Sequence, residues 1–219
     1  MCSMVEDILL NDNMITDFTA YMGRHKQLYR SLAQMCKQEL SSSIQYPVIL
    51  DVGAGPGFLS FELKKEIQNA TVISFDASIE MLQQLYFEKN ALMHLVNGKA
   101  EYLPFHPMSI DVVISRFSLP YWSQPGKAFQ EIACVLRRNG LLIVEMLNAE
   151  YPLWKKSLVK YQMKLKKASA HTIYYHLEAY THAYKLTQVQ TFLETNGFTL
   201  LRVEGRKSEW KYLLIAKKT

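Results

Sequence analysis

From Pro47 onward, short apolar runs rich in β-branched residues alternate with amphipathic segments. This alternation is typical of parallel strands joined by crossover helices, so it predicts a doubly wound α/β sheet. In one connection, apolar residues between Phe129 and Leu136 recur at helical spacing, and Asn139 and Gly140 supply a stop signal just beyond. The five strands predicted in this region are 48–52, 71–76, 92–97, 110–115 and 141–146.

The pattern changes after the fifth predicted strand. The alternation is interrupted from about 148 to 186, and a helix over 187–196 then leads into two strands, 198–203 and 212–216. The residues between these strands are too few for a helical crossover, so they predict an antiparallel hairpin. We therefore expect one domain with a seven-stranded, mostly parallel sheet. Its predicted parts are a helical cap (1–46), a cofactor-binding core (47–147), a helical lid (148–186) and a terminal helix and hairpin (187–219).

Composition excludes some classes of protein. The three cysteines, Cys2, Cys36 and Cys134, lie far apart and form no CxxC pair, and we find no secretory signal, so a reduced cytoplasm is the simplest setting. No apolar run approaches the roughly 20 residues that a membrane-spanning helix needs. The net charge of +5 permits an anionic partner, but much of the excess lies in one stretch. Charge alone therefore does not indicate a nucleic-acid binder.

A glycine-rich loop follows the first predicted strand. Residues 51–57 read Asp-Val-Gly-Ala-Gly-Pro-Gly, and a helical pattern starts at Phe58. Glycines allow positive φ and close approach of a ligand to the backbone, although a tight turn without a ligand would need them too. The third glycine comes one residue too early for the dinucleotide fingerprint G-x-G-x-x-G, and no Lys-Ser or Lys-Thr follows, as a phosphate-binding loop requires. Asp51 would repel a polyphosphate but attract a cationic α-amino group.

A second carboxylate ends the second predicted strand. Asp76 lies 19 residues after Gly57, at the place where an acidic residue accepts hydrogen bonds from the hydroxyls of a bound ribose. It could also be a turn or capping residue. Met81, on the helix that follows, either fills the core or packs on an adenine.

Three segments together resemble the class I S-adenosylmethionine-dependent methyltransferases, and most closely the small-molecule group that includes the ubiquinone and menaquinone biosynthesis enzymes. They are 51–57, 76–82 (Asp-Ala-Ser-Ile-Glu-Met-Leu) and 100–105 (Ala-Glu-Tyr-Leu-Pro-Phe). The resemblance covers roughly residues 46–147. It implies S-adenosylmethionine as cofactor and a seven-stranded sheet whose last strand is antiparallel.

The resemblance also implies roles for particular residues. Asp51 and Gly53 would contact the amino-acid part of the cofactor, Asp76 the ribose, and Ala100 with Glu101 the adenine. The residues expected to bind the cofactor are Asp51, Gly53, Ala54, Gly55, Gly57, Asp76, Ala77, Met81, Ala100, Glu101 and Ser115.

The acceptor is harder to predict. Enzymes that methylate nucleobase or glutamine amines carry Asp/Asn-Pro-Pro-Tyr after the fourth strand, whereas residues 115–122 read Ser-Arg-Phe-Ser-Leu-Pro-Tyr-Trp, which disfavours a planar nitrogen acceptor. We therefore expect a small-molecule acceptor. RNA or protein methylation, or a regulatory role that uses the basic lid, is the alternative. Candidate acceptor-binding residues are Tyr21, Tyr29, Arg116, Tyr121 and Trp122.

Methyl transfer from a sulfonium is an in-line displacement, so a dedicated catalytic residue is not obligatory. If the acceptor must lose a proton, the candidate bases are His171, His176 and His182 in the predicted lid, and Tyr121. No two of the lid histidines lie at the i, i+4 helical separation of metal ligands, so we predict no metal. A lid whose tyrosines simply face the core is equally consistent with the sequence.

The segment 154–167 contains six lysines and no acid. Leu158, Tyr161, Leu165 and Ala168 recur at helical spacing, which predicts a basic amphipathic helix. The favoured interpretation is a packed apolar stripe beneath a solvated lysine face. Peripheral membrane contact is the first alternative and nucleic-acid binding the second, less favoured one.

Overall fold

The structure is a computed structural model, and it describes residues 12–86, 93–165 and 167–219. Two helices precede the sheet, and a 3-10 turn (Leu119–Tyr121) follows its fourth strand. The elements are α1 (Asp12–Gly23), α2 (Lys26–Glu39), β1 (Val48–Val52), α3 (Phe58–Glu66), β2 (Thr71–Asp76), α4 (Ile79–Tyr86), β3 (His94–Asn97), β4 (Ile110–Arg116), α5 (Pro125–Val135), β5 (Leu136–Leu147), α6 (Leu153–Leu165), α7 (Ala170–Ala179), α8 (Leu186–Thr195), β6 (Phe198–Glu204) and β7 (Lys211–Lys218).

The strands form one seven-stranded sheet in the order β3-β2-β1-β4-β5-β7-β6. Strands β1 to β5 are parallel, and β7 lies antiparallel between β5 and β6. This confirms the predicted fold class, including the terminal hairpin. The strand order reverses between β1 and β4, and open α/β sheets bind ligands at the carboxyl ends of the strands at such a point.

Apolar side chains cover both faces of the sheet, because successive residues of a strand point to opposite sides. Ile49 belongs to the cluster formed with α2 and α3, which includes Leu32 and Leu63. Its neighbour Leu50 belongs to the cluster formed with α5, which includes Phe129. All five side chains are almost completely buried, and each contributes about 1.5 to 3 kcal/mol of hydrophobic stabilisation. The frame that holds the strand ends is therefore a rigid one.

The prediction for Leu136 was wrong. Helix α5 ends at Val135, and Leu136 begins β5, where it pairs with Ile110. Asn139 has a positive φ of 64°, and a Cβ on Gly140 would lie 2.9 Å from the Arg137 carbonyl oxygen. The two residues thus form an irregularity within β5 instead of ending a helix. In the third predicted strand, Leu92 lies outside the described residues, and β3 begins at His94.

The segment after β5 forms α6 and α7, but the predicted packing of α6 was wrong. Leu158, Tyr161 and Leu165 are 49%, 60% and 66% exposed. Met163 is buried, alone among the residues of this helix whose side chains are described, and it lies about half a turn away from that stripe. The stripe is exposed because the opposite side of α6 faces the protein.

Among the helices of the described residues, none is long and apolar enough to span a bilayer. Cys36 and Cys134 are free thiols, and Cys2 lies outside the described residues.

Candidate active site

A cavity of about 880 Å³ opens at the carboxyl ends of β1, β2 and β4. Its floor is formed by the loops that follow these strands, and its roof by α1, α6 and α7. The volume lies in the upper part of the range for small-molecule sites.

The glycine loop is joined to the neighbouring strand end by backbone hydrogen bonds. The N–H groups of Gly53 and Ala54 both donate to the Phe75 carbonyl, at 2.8 and 3.1 Å. Gly53, Gly55 and Gly57 all have positive φ, between 54° and 76°. A Cβ on Gly53 would lie 2.1 Å from the Cβ of Ser118, whereas a Cβ on Gly55 would meet no atom within 4 Å. Gly53 is therefore required by close packing, and Gly55 borders the open cavity.

Asp51 lies at the end of β1 and is 1% exposed. Its Oδ2 accepts a hydrogen bond from the Ser60 hydroxyl at 2.6 Å. Burial raises the pKa of Asp51 to about 7, because the hydrogen bond from Ser60 only partly offsets the loss of water and the charge of Asp76 adds to the shift. Its carboxylate is thus stabilised by any cation that enters the cavity.

Asp76 is the last residue of β2, and its carboxylate accepts hydrogen bonds from the backbone of two loops. Its Oδ2 accepts a hydrogen bond from the Gly55 N–H at 2.7 Å, and its Oδ1 accepts one from the Ser78 N–H at 2.8 Å. Burial raises the pKa of Asp76, and the backbone N–H donors oppose that shift. Each carboxylate oxygen has a second lone pair, so both can also accept from a ligand hydroxyl.

Most of the other predicted cofactor residues also line the cavity: Ala54, Ala77, Met81, Ala100 and Glu101. Glu101 in addition accepts hydrogen bonds from the Ser123 hydroxyl and the Gln124 N–H, both at 3.0 Å, at the start of α5. Gly57 and Ser115 do not line this cavity. Gly57 is the left-handed residue before α3, and Ser115 pairs with the Ser118 hydroxyl at 2.6 Å.

Arg116, at the end of β4, is held in a buried charge cluster. Its Nε lies 2.6 Å from Glu145 Oε2, and the other oxygen of Glu145 pairs with Lys211. The guanidinium stacks 4.5 Å above the ring centroids of Tyr29 and Phe117. Burial raises the pKa of Tyr29 to about 12. Arg116 is the member of this cluster that lines the cavity, which Asp51 also lines.

All five predicted acceptor residues line the cavity: Tyr21, Tyr29, Arg116, Tyr121 and Trp122. Tyr121 stacks on Tyr175 of α7 with ring centroids 5.1 Å apart and an interplanar angle of 11°. Burial raises the pKa of both phenols, that of Tyr175 to about 12. Both rings are therefore neutral hydrogen-bonding groups at neutral pH.

The lid histidines differ in position. His176 and His182 line the cavity, whereas His171 is exposed on α7 and lies outside the lining. Burial lowers the pKa of His176 to about 4, with smaller contributions in the same direction from the positive charge of Arg116 and from the nearby His25. His176 is neutral at physiological pH.

Two polar atoms of α7 and its end lack partners within the described part of the chain: Glu178 Oε2 and Tyr180 Oη. Both side chains line the cavity. Buried polar atoms are nearly always hydrogen-bonded, so an unpaired pair in a cavity wall is an indication of a ligand.

Sequence reasoning missed several lining residues, among them Phe117, Ser118, Tyr175, Glu178 and Trp210. Phe117 and Ser118 could have been predicted, because open α/β sheets bind ligands at the carboxyl ends of their strands and these residues follow β4 as Gly53 follows β1. Trp210 comes from the hairpin loop, and no local pattern connects it with the strand ends.

Comparison with known proteins identifies the core. Residues 50–144 match the family model described as a methyltransferase domain. Over these residues, which make up less than half of the chain, the protein is similar to methyltransferases. This confirms the resemblance found in the sequence, with S-adenosylmethionine as the cofactor of the family.

The curated proteins to which the chain is similar are diverse. It is 32% identical over 122 residues to a malonyl-acyl-carrier-protein O-methyltransferase of Xylella fastidiosa (strain M23), which is 52% of this chain and 41% of that protein. It is 30% identical over 115 residues to the ubiquinone/menaquinone biosynthesis C-methyltransferase UbiE of Bartonella henselae, covering 49% of this chain and 44% of that protein. The chain thus spans less than half the length of these curated relatives.

The fold is also that of solved methyltransferases. A SAM-dependent methyltransferase from Aquifex aeolicus superposes with a TM-score of 0.63 at 18% identity, covering 85% of this chain and 89% of that one. At this identity the likeness concerns the fold alone.

Proposed function

We propose that this protein transfers a methyl group from S-adenosylmethionine to a small-molecule acceptor bound beneath α6 and α7. The observation that supports it best is that one continuous cavity joins the glycine loop to a lid wall with two polar atoms that have no partner within the described residues. The cofactor supplies an electrophilic methyl group on a sulfonium. In the in-line displacement the acceptor forms a bond to that methyl group, and the sulfur keeps the electron pair of the bond that breaks.

The residues at the β1 and β2 ends fit the donor. In our proposal Asp51 pairs with its α-amino group, and Asp76 accepts from the ribose hydroxyls while it holds Gly55 in place. Gly53, Ala54 and Gly57 shape the loop. The adenine lies against Ala77, Met81, Ala100 and Glu101, while Ser115 supports the wall through Ser118.

The acceptor half is mostly aromatic, and the basic side chains of Arg116, His176 and His182 also line it. Tyr121, Tyr175 and Trp122 exclude water and offer flat surfaces, and Tyr21 and Tyr29 close the side formed by α1 and α2. Glu178 and Tyr180 supply the unpaired polar atoms that a polar group of the acceptor would satisfy.

His176 is our preferred proton acceptor among the candidates. It is neutral and lines the cavity, so it can accept a hydrogen bond or a proton from an acceptor hydroxyl. A pKa of about 4 makes His176 a weak base. It is therefore better suited to orienting an acidic hydroxyl of the acceptor than to removing a weakly acidic proton.

We also propose that the chain is divided into cap, core, lid and terminal part, and that the protein is located in the cytoplasm. The first would be supported if proteolysis cut within 148–186 and left the core intact.

The proposal is tested in two steps. Calorimetry should show binding of S-adenosylmethionine and of its demethylated product, with NADH as the negative control. Labelled donor is then incubated with a cell extract separated into small-molecule, RNA and protein fractions. Label in the small-molecule fraction supports the proposal, whereas label confined to RNA or protein would favour the alternative acceptor class. Binding of NADH without response to either donor form would refute the proposal.

A further inference from the structure

The exposed side of α6 is unusual for a helix of a folded core. Trp154 is 68% exposed, and it continues the stripe of Leu158, Tyr161 and Leu165, which are 49%, 60% and 66% exposed. At 100° per residue these four side chains fall within a sector of about 60°. They therefore form one continuous apolar ridge, which we call the α6 ridge.

Lysines flank the α6 ridge, and the helix has no acidic residue. Lys160 and Lys164 are exposed on one side of it. Lys155 and Lys156 lie toward the protein, where Lys155 donates a hydrogen bond to the Ser208 carbonyl and Lys156 lies 4.9 Å from the ring centroid of Tyr180. The free side of α6 thus combines an apolar ridge with cationic side chains.

The opposite side of α6 lines the cavity through Val159, Gln162 and Met163. One helix therefore separates the acceptor half of the cavity from the exposed ridge. Whatever binds the ridge lies about one helix diameter, roughly 10 Å, from the cavity.

We propose that the α6 ridge docks on an anionic lipid bilayer. Membrane-surface helices place an apolar face with Trp and Leu just below the headgroups and Lys at the headgroup level, which is the arrangement found here. Trp and Tyr have amphipathic rings suited to that interface. A nucleic acid would pair with the lysines but would leave Leu158 and Leu165 exposed to water. This docking goes beyond the proposed methyl transfer and does not depend on it.

The test is vesicle co-sedimentation of the whole chain without donor. Vesicles of phosphatidylcholine mixed with phosphatidylglycerol are compared with vesicles of phosphatidylcholine alone, at low and high salt. We expect binding to the anionic vesicles that weakens as salt screens the charges.

Two variants separate the ridge from its charge. Leu158→Gln with Leu165→Gln should weaken binding at least tenfold, because less apolar area enters the interface. Lys160→Gln with Lys164→Gln should weaken it by about thirtyfold at low salt.

Matched controls change the same residue types elsewhere. Leu95→Gln with Leu201→Gln alters exposed leucines of β3 and β6, and Lys37→Gln with Lys65→Gln alters lysines of α2 and α3. Neither control pair should change vesicle binding by more than about twofold.

Equal binding to both vesicle types, or equal loss in the ridge and control variants, would overturn the docking proposal. The docking proposal would also be overturned if the protein bound an RNA oligonucleotide and not the vesicles, and if this RNA binding were lost in the variant Lys160→Gln with Lys164→Gln. Calorimetry with S-adenosylmethionine on the same variants keeps the two proposals distinct. Donor binding without vesicle binding refutes the docking alone, and vesicle binding without donor binding refutes the cofactor assignment alone.

Discussion

Substitution of Gly53 and Gly55 by alanine should separate folding from donor binding. Both glycines have positive φ, at 76° and 54°, so alanine at either position costs about 1 to 2 kcal/mol of backbone strain. The side chains would meet different surroundings. At Gly53 the new Cβ would lie 2.1 Å from Ser118 Cβ, whereas at Gly55 it would point into open space.

The expected magnitudes follow from this difference. The clash at Gly53 adds about 1 to 3 kcal/mol, the usual cost of overpacking a filled site. For a chain of this size 1 kcal/mol corresponds to about 2 to 4 °C in Tm. Thermal denaturation should therefore place the Tm of Gly53→Ala at least that much below the Tm of Gly55→Ala.

Donor affinity should show the reverse order. Gly55→Ala places a methyl group in the cavity and should weaken S-adenosylmethionine binding at least tenfold, or about 1.4 kcal/mol, as measured by calorimetry. Folding stability offers a further check, because Ser118→Gly removes the atom that clashes in Gly53→Ala. The double variant should have a free energy of unfolding at least about 1 kcal/mol higher than the sum of the two single effects gives. If Gly55→Ala binds the donor as the wild type does, the role of the glycine loop as the donor cradle is refuted.

Three further predictions concern titratable groups. Donor affinity should rise with pH as Asp51 ionises near pH 7, where its pKa lies. It should fall again above about pH 8 as the donor amine loses its proton. In Asp51→Asn the rise in donor affinity near pH 7 should be absent when affinity is measured by calorimetry. An unchanged pH profile would show that Asp51 does not bind the donor amine. Asp76→Ala should weaken donor binding about ten- to a hundredfold, and an unaltered Kd would exclude its role on the ribose. Because burial lowers the pKa of His176 to about 4, the unfolded chain binds more protons than the folded one below pH 6.5. Stability should therefore fall by about 2 kcal/mol from this group between pH 7 and pH 5. Denaturant titrations should show a smaller loss in His176→Gln, and equal losses would contradict the lowered pKa.

The parts of the fold that sequence predicted are those with strong local signals. Buried parallel strands such as β1 form uninterrupted apolar runs, and the glycine loop joins one of them directly to a helix, so both were predictable. The boundary at Leu136 was not, because an apolar residue at the end of a helical repeat has the same pattern whether it closes the helix or opens the next strand.

The acceptor half of the site was less predictable for a different reason. Tyr121 contacts Tyr175 of α7 through the packing of the lid, and Arg116 pairs with Glu145 of β5, which also pairs with Lys211 of β7. Such contacts join residues that are far apart in the sequence, so no local sequence pattern predicts them. For α6, periodicity found an apolar stripe in Leu158 and its neighbours but gave no information on which side of the helix the protein would occupy.

The position of β7 has a consequence for the order in which the chain can fold during synthesis. The ribosome makes β6 before β7, yet in the described sheet β6 pairs with β7 alone, and β7 must enter between β6 and β5. Until residues 211–218 have left the ribosome, the hydrogen-bonding edge of β5 is open and β6 has no neighbour. An emerging chain therefore presents an uncovered strand edge, a known route to aggregation. Chaperone dependence during expression should end only when this last strand has been inserted.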